Sequence, residues 1–91
     1  MYKVTLLPPA YDDLKLLRKN DKNDYVKCFD LFQDIMRSPR EGIGHPERLK
    51  HREGAEVWSR KINKKDRIVY EIDEISEIIT IFSCLGHYDN H

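Results

Sequence analysis

The chain lacks most of the features that announce a compartment or a cofactor. Its two cysteines, Cys28 and Cys84, form no CxxC motif, and they read as two free thiols in a reducing cytosol. No apolar run is long enough to span a bilayer and no signal peptide is read at the start, so a cytoplasmic protein with no membrane partner is expected. There is no HExxH and no cluster of carboxylates, so metal-assisted hydrolysis fits poorly and neither a metal nor another cofactor is expected. Repeats, low-complexity tracts and linkers are absent, which leaves residues 1–91 as one small domain. Net charge is zero, and on its own that speaks against a nucleic-acid partner.

The zero is an average over unlike segments. Residues 1–47 carry eight Lys/Arg and eight Asp/Glu; residues 48–67 carry eight basic against three acidic; residues 68–91 carry five acids and no Lys or Arg. A basic patch of +5 is masked by an acidic tail segment of −5, which restores nucleic acid as a partner class.

The pattern predicts an α+β domain with two helices packed on a mainly antiparallel sheet, in the order β-α-α-β-β-β-β. Tyr2 to Leu7 reads as a strand. Pro8-Pro9 opens a first helix of about Ala10 to Lys19, with Leu14 and Leu17 on a face that Tyr11 can join. The polar cluster Asn20 to Asp24 supplies N-cap side chains for a second helix. There Tyr25, Phe29, Phe32, Ile35 and Met36 recur at three- and four-residue spacing, with Val26, Cys28 and Leu31 widening the stripe, as far as Ser38-Pro39. Beyond the loop at 39–46 the period changes to two. Glu47–His51, Val57–Asn63, Arg67–Ile72 and Ile78–Cys84 read as strands, and the last three are joined by short polar hairpin links.

Most of the individual polar residues have an ordinary explanation. A lone glutamate such as Glu47 is usually solvated, strand arginines such as Arg60 and Arg67 can lie along the sheet, and Lys61, Lys64 and Lys65 suit a solubilising turn. Trp58 is expected to anchor the core, and Gly42 and Gly44 are a weak phosphate-cradle signal because no helix start follows them. Together the residues match a chemistry. RNA is cleaved without metal when a base deprotonates the 2′-hydroxyl, an acid protonates the leaving 5′-oxygen, and cations neutralise the charge that grows on phosphorus. Glu47 as base, His87 as acid and Arg67 as charge stabiliser satisfy those needs, with Lys50, His51, Arg60 and Lys61 holding flanking phosphates.

Four ordered motifs carry a family resemblance. Gly42-Ile43-Gly44-His45-Pro46-Glu47-Arg48-Leu49-Lys50-His51 resembles the G-x-G-x-P-E-x-L-K-H signature of the Txe/YoeB toxins, which lie in the wider RelE/ParE superfamily of toxin–antitoxin systems. Trp58-Ser59-Arg60-Lys61-Ile62 resembles their W-S-R-R-I strand, Arg67-Ile68-Val69-Tyr70 their R-L-V-Y strand, and His87-Tyr88 their closing H-Y pair. The resemblance implies a ribosome-dependent mRNA endoribonuclease that inhibits translation, held in check by an antitoxin of the YefM/Axe type. Homodimers are also implied, as is contact with operator DNA only through the antitoxin complex. Carried over by position, the general base falls on Glu47, the transition-state arginine on Arg67 and the general acid on His87. Tyr88 would contact the phosphate, and Lys50, His51, Arg60 and Lys61 would bind RNA. Lys61 departs from the pattern, since a lysine keeps the charge of the usual arginine and loses its fork of donors. Two other classes stay open: a ParE-like toxin that binds gyrase without cutting, and an interaction module in a nucleic-acid or antitoxin complex.

Overall fold

The second helix owes its position to one aspartate. Asp21 ends helix α1 (Pro8–Asn20) and starts helix α2 (Lys22–Arg37), and its side chain accepts the N–H of Asp24 at 3.1 Å. That N-cap is worth roughly 1 kcal/mol and folds the two helices into a hairpin. Pro8 and Pro9 occupy the first positions of α1, where a missing N–H costs nothing, so the helix begins two residues before the expected Ala10.

In this computed structural model, residues 1–49 and 54–86 are described. The strands are β1 (Lys3–Leu6), β2 (Glu47–Leu49), β3 (Glu56–Lys61), β4 (Arg67–Asp73) and β5 (Ile78–Ser83). They form one sheet in the order β1-β5-β4-β3-β2. β1 runs parallel to β5, and the other neighbours are antiparallel. The expected element order and the mainly antiparallel sheet are therefore found. Among the described residues no helix is long and apolar enough to cross a membrane.

The helices cover one face of the sheet. Ala10, Leu14 and Leu17 of α1 and Cys28, Leu31, Phe32 and Ile35 of α2 form one core with Ile68, Tyr70 and Ile72 of β4 and Ile79 and Ile81 of β5. The buried stripe of α2 is centred on Cys28 and Leu31, one flank away from the expected line. Phe29 and Val26 are exposed instead, and Phe29 stacks edge-on between Tyr25 and Phe32. Tyr11 does not join the core either; it is exposed, with the Lys15 ammonium over its ring. Trp58 is half-buried against the core, and its indole N–H donates to Glu56 at 2.9 Å. Both thiols are free and buried; a hydrogen bond with Cys28, with burial adding to it, pushes the Cys84 thiol up, so it stays protonated and inert.

Strand alternation sends the intervening residues to the opposite face. Register aligns Glu47 with Ser59 and Val69, Leu49 with Val57 and Glu71, and Lys61 with Arg67. A register shift between Val69 and Tyr70 leaves Phe82 as the extra residue of β5, a bulge close to the start of β4.

Candidate active site

Glu47 and Arg67 meet on the sheet face turned away from the helices. The nearest approach of Arg67 Nη1 to Glu47 Oε1 is 3.9 Å, too long for a hydrogen bond. The Glu47 side chain is 67% exposed and that of Arg67 24%, so their attraction through solvent is worth less than about 1 kcal/mol. Arg67 Nη1 is buried and has no hydrogen-bond partner. Leaving such a donor unmatched costs on the order of 1–3 kcal/mol. A solvated carboxylate beside a guanidinium with an unmatched N–H adds little to stability; it suits an incoming oxyanion next to a base.

Local structure holds this pair in place from two sides. The β3–β4 turn is built on Asn63, whose side-chain oxygen accepts the N–H groups of Lys65 and Asp66 and whose amide donates to Asp24 and Asp66. Arg67 follows directly. Asp66 also accepts the N–H of Gly86 at 2.9 Å, which ties the chain end leading into His87 to the residue next to Arg67. On the other side, the loop at 38–46 delivers Glu47, and Arg60 organises that loop.

Arg60 is the correction to the expected site. It is fully buried, and all five of its N–H groups are engaged: Nε with the Tyr70 hydroxyl, Nη1 with Asp34 and the Ile43 carbonyl, Nη2 with the carbonyls of Ser38 and Glu41. Nothing is left to hold a phosphate. Asp34 accepts from Arg60 at 2.6 Å and from the Ile43 N–H at 3.0 Å. The Arg60 hydrogen bond, with the Ile43 N–H adding to it, holds the Asp34 carboxyl below the usual aspartate range against the opposing effect of burial. The Tyr70 hydroxyl donates to the Pro39 carbonyl, and burial pushes its proton affinity up. Gly42 and Gly44 have positive φ, and a Cβ on either would collide with Asp34 or with Leu31. They let this loop pack against α2 and β3.

Lys61 is exposed at the end of β3, opposite Arg67. Lys50, His51, His87 and Tyr88 lie outside the described residues. Of the acids beyond Arg67, Glu71 lies about 13 Å along β4, and Asp73, Glu74 and Glu77 sit at its far end, about 20 Å away. That is beyond a physiological screening length of about 8 Å, so the neutral total does not cancel the local positive charge. Arg40 bridges Glu56 and Glu74 at that far end. Among the described residues no three His, Cys, Asp or Glu side chains group to hold a metal ion.

The sequence patterns do not single out Asp34 or Asp66. The Asn63-x-x-Asp66 spacing is a turn signal that could have found Asp66. Asp34 left no such trace, because its partner is 26 residues away.

A helical hairpin packed on a mixed five-stranded sheet is the fold of the YoeB and RelE-like toxins. The chain belongs to the YoeB-like toxins of bacterial type II toxin–antitoxin systems, whose family model matches residues 7–88. It is 37% identical over 79 residues to the toxin YoeB of Escherichia coli K12, covering 87% of this chain and 90% of that protein. The YoeB dimer from Staphylococcus aureus superposes with a TM-score of 0.84 at 39% identity, over 96% of this chain and 98% of that one. The heterotetrameric YoeB–YefM complex from the same organism gives 0.80 at 38% identity, over 97% and 99%.

Proposed function

We propose that this toxin stops translation by cutting mRNA on the ribosome, in a metal-independent acid–base reaction. Glu47 takes the proton of the 2′-hydroxyl, the freed oxygen attacks the adjacent phosphorus, and the 5′-oxygen leaves with a proton from His87. The products are a 2′,3′-cyclic phosphate and a free 5′-hydroxyl. Arg67 stabilises the charge on the phosphorane, and Tyr88 contacts the same phosphate. Lys50, His51 and Lys61 hold the flanking backbone. Arg60 is removed from that set, because its donors are all engaged inside the protein. The observation that carries this reading is the pairing of Glu47 with the unmatched Arg67 Nη1 on one sheet face.

Its partners follow from its relatives. A YefM-like antitoxin would neutralise it by laying an acidic segment over the basic strands and gaining order on contact. A homodimer is proposed on the same basis, with operator DNA reached only through the antitoxin complex. The test is induced expression of wild type, Glu47→Gln and His87→Ala in a host without the antitoxin, with primer extension on a translated message. Discrete cuts at ribosomal A-site codons, lost in both variants, are expected. Growth arrest with intact mRNA would move the protein to the gyrase-binding or interaction class.

A further inference from the structure

Ser59 is buried, at 1% exposure, and its hydroxyl has no hydrogen-bond partner. Together with Arg67 Nη1 it completes the set of buried side-chain polar atoms left unmatched among the described residues. The two lie on the same sheet face, and register sets Ser59 directly opposite Glu47. Polar atoms left unmatched in a native interior are uncommon, and two beside one carboxylate are not scattered by packing accident.

The span of the ion pair says what this position does. Glu47 stands on β2 and Arg67 on β4, with β3 between them and an offset of two residues along the strands, so their Cα atoms are separated by roughly 11–12 Å. Their side chains can meet only across β3, over the stretch that holds Ser59 and Lys61. A bulky residue at 59 would block that crossing. A serine leaves it open and adds a donor beneath it, at a cross-strand distance where a hydroxyl and a glutamate can touch.

We propose that Ser59 is a positioning residue for the cleavage reaction: its hydroxyl donates to the Glu47 carboxylate when substrate draws that carboxylate inward, and fixes it toward the 2′-hydroxyl. Glu47 is solvated and too far from Arg67 for a hydrogen bond to fix it, and a base acts only in the orientation that reaches its proton. The inference rests on the nuclease reading of the same site. Stability supplies a readout that a structural role would move the other way. Removing a buried hydroxyl that nothing satisfies leaves a fold as stable as before or more so, whereas removing one that holds the fold together weakens it.

The experiment compares wild type, Ser59→Ala, Ser59→Thr and Glu47→Gln as full chains, in single-turnover cleavage of an mRNA on a programmed ribosome, with a melting temperature for each. Ser59→Ala should lower the rate at saturation about tenfold, the order of one lost hydrogen bond to a charged group, with the half-saturating concentration unchanged and the melting temperature equal or higher. Ser59→Thr, which keeps the hydroxyl, should retain most of the rate. Wild-type cleavage by Ser59→Ala overturns the proposal, as does a loss confined to half-saturation or one that tracks a fall in melting temperature. Glu47→Gln separates the two levels: if it is inert while Ser59→Ala cuts normally, this inference alone fails. If Glu47→Gln cuts normally, the acid–base reading fails with it.

Discussion

Arg60 and Arg67 sit on neighbouring strands, and each faces a carboxylate. Arg60 points to the helix side, is fully buried and uses every N–H it has. Arg67 points to the other side, is partly open, and keeps an N–H without a partner beside Glu47. A guanidinium whose donors are all engaged is scaffold; one with an unmatched donor next to a solvated carboxylate still has a hydrogen bond to give. Satisfaction, rather than charge, divides the two roles.

The sharpest way to break the comparison is to remove each arginine in turn. Arg60→Met strands Asp34 and three loop carbonyls in a buried setting, and should cost about 3–5 kcal/mol of stability. For a domain of this size that lowers the melting temperature by about 15 °C or more, measurable by calorimetry. Arg67→Ala should do the reverse. It removes an Nη1 donor that the fold leaves unmatched, so stability should fall far less than in Arg60→Met. Cleavage on the ribosome should fall by about 10²–10³-fold, the scale of losing one donor to a developing oxyanion. If Arg60→Met is the stable variant, or Arg67→Ala the unstable one, the two roles are misassigned.

Asp34 sharpens the scaffold half. Its carboxyl is held below the usual range by Arg60, so its contribution to stability is complete above its unfolded pKa of about 3.9 and is lost as pH falls through the lower folded value. Asp34→Asn should cost about 2–3 kcal/mol at neutral pH, since it removes the charge opposite a buried guanidinium. It should also flatten the acid side of the stability curve, which urea titrations between about pH 2 and 5 would show. Glu56 follows the same sign through Arg40. That pair is more open, at 21% and 38% exposed, so Glu56→Gln should cost less.

The helical hairpin, the strands and the Glu47–Arg67 pair were legible in the chain; the role of Arg60 was not. In Val57-Trp58-Ser59-Arg60-Lys61-Ile62 each alternating set mixes apolar with polar residues, so period two cannot say which set faces the helices. Arg60 and Lys61 share a charge and so share an expected phosphate role, although they point to opposite faces. The deciding partner, Asp34, is distant in sequence and left no local signal. The parallel pairing of β1 with β5 was equally silent, because it joins the first strand to the last. Gly42 and Gly44 were visible as special, but their reason is steric and needs the packed loop. Glu47 and Arg67 were singled out among many acids and bases by the ordered motifs around them, and the fold brings their side chains to within 3.9 Å.

The smallest expected effect tests the exposed neighbour of the buried arginine. Lys61 is one residue from Arg60, opposite Arg67, and free to solvent. If it holds a flanking phosphate, Lys61→Ala should leave the melting temperature unchanged and weaken RNA engagement only a few-fold. The slope of log affinity against log salt should shallow by about 0.7, one phosphate contact on a single strand. Lys61→Arg should restore the slope, since the contact needs charge, and can tighten binding through the fork that lysine lacks. An unchanged slope in Lys61→Ala would place Lys61 among the solubilising lysines of the turn.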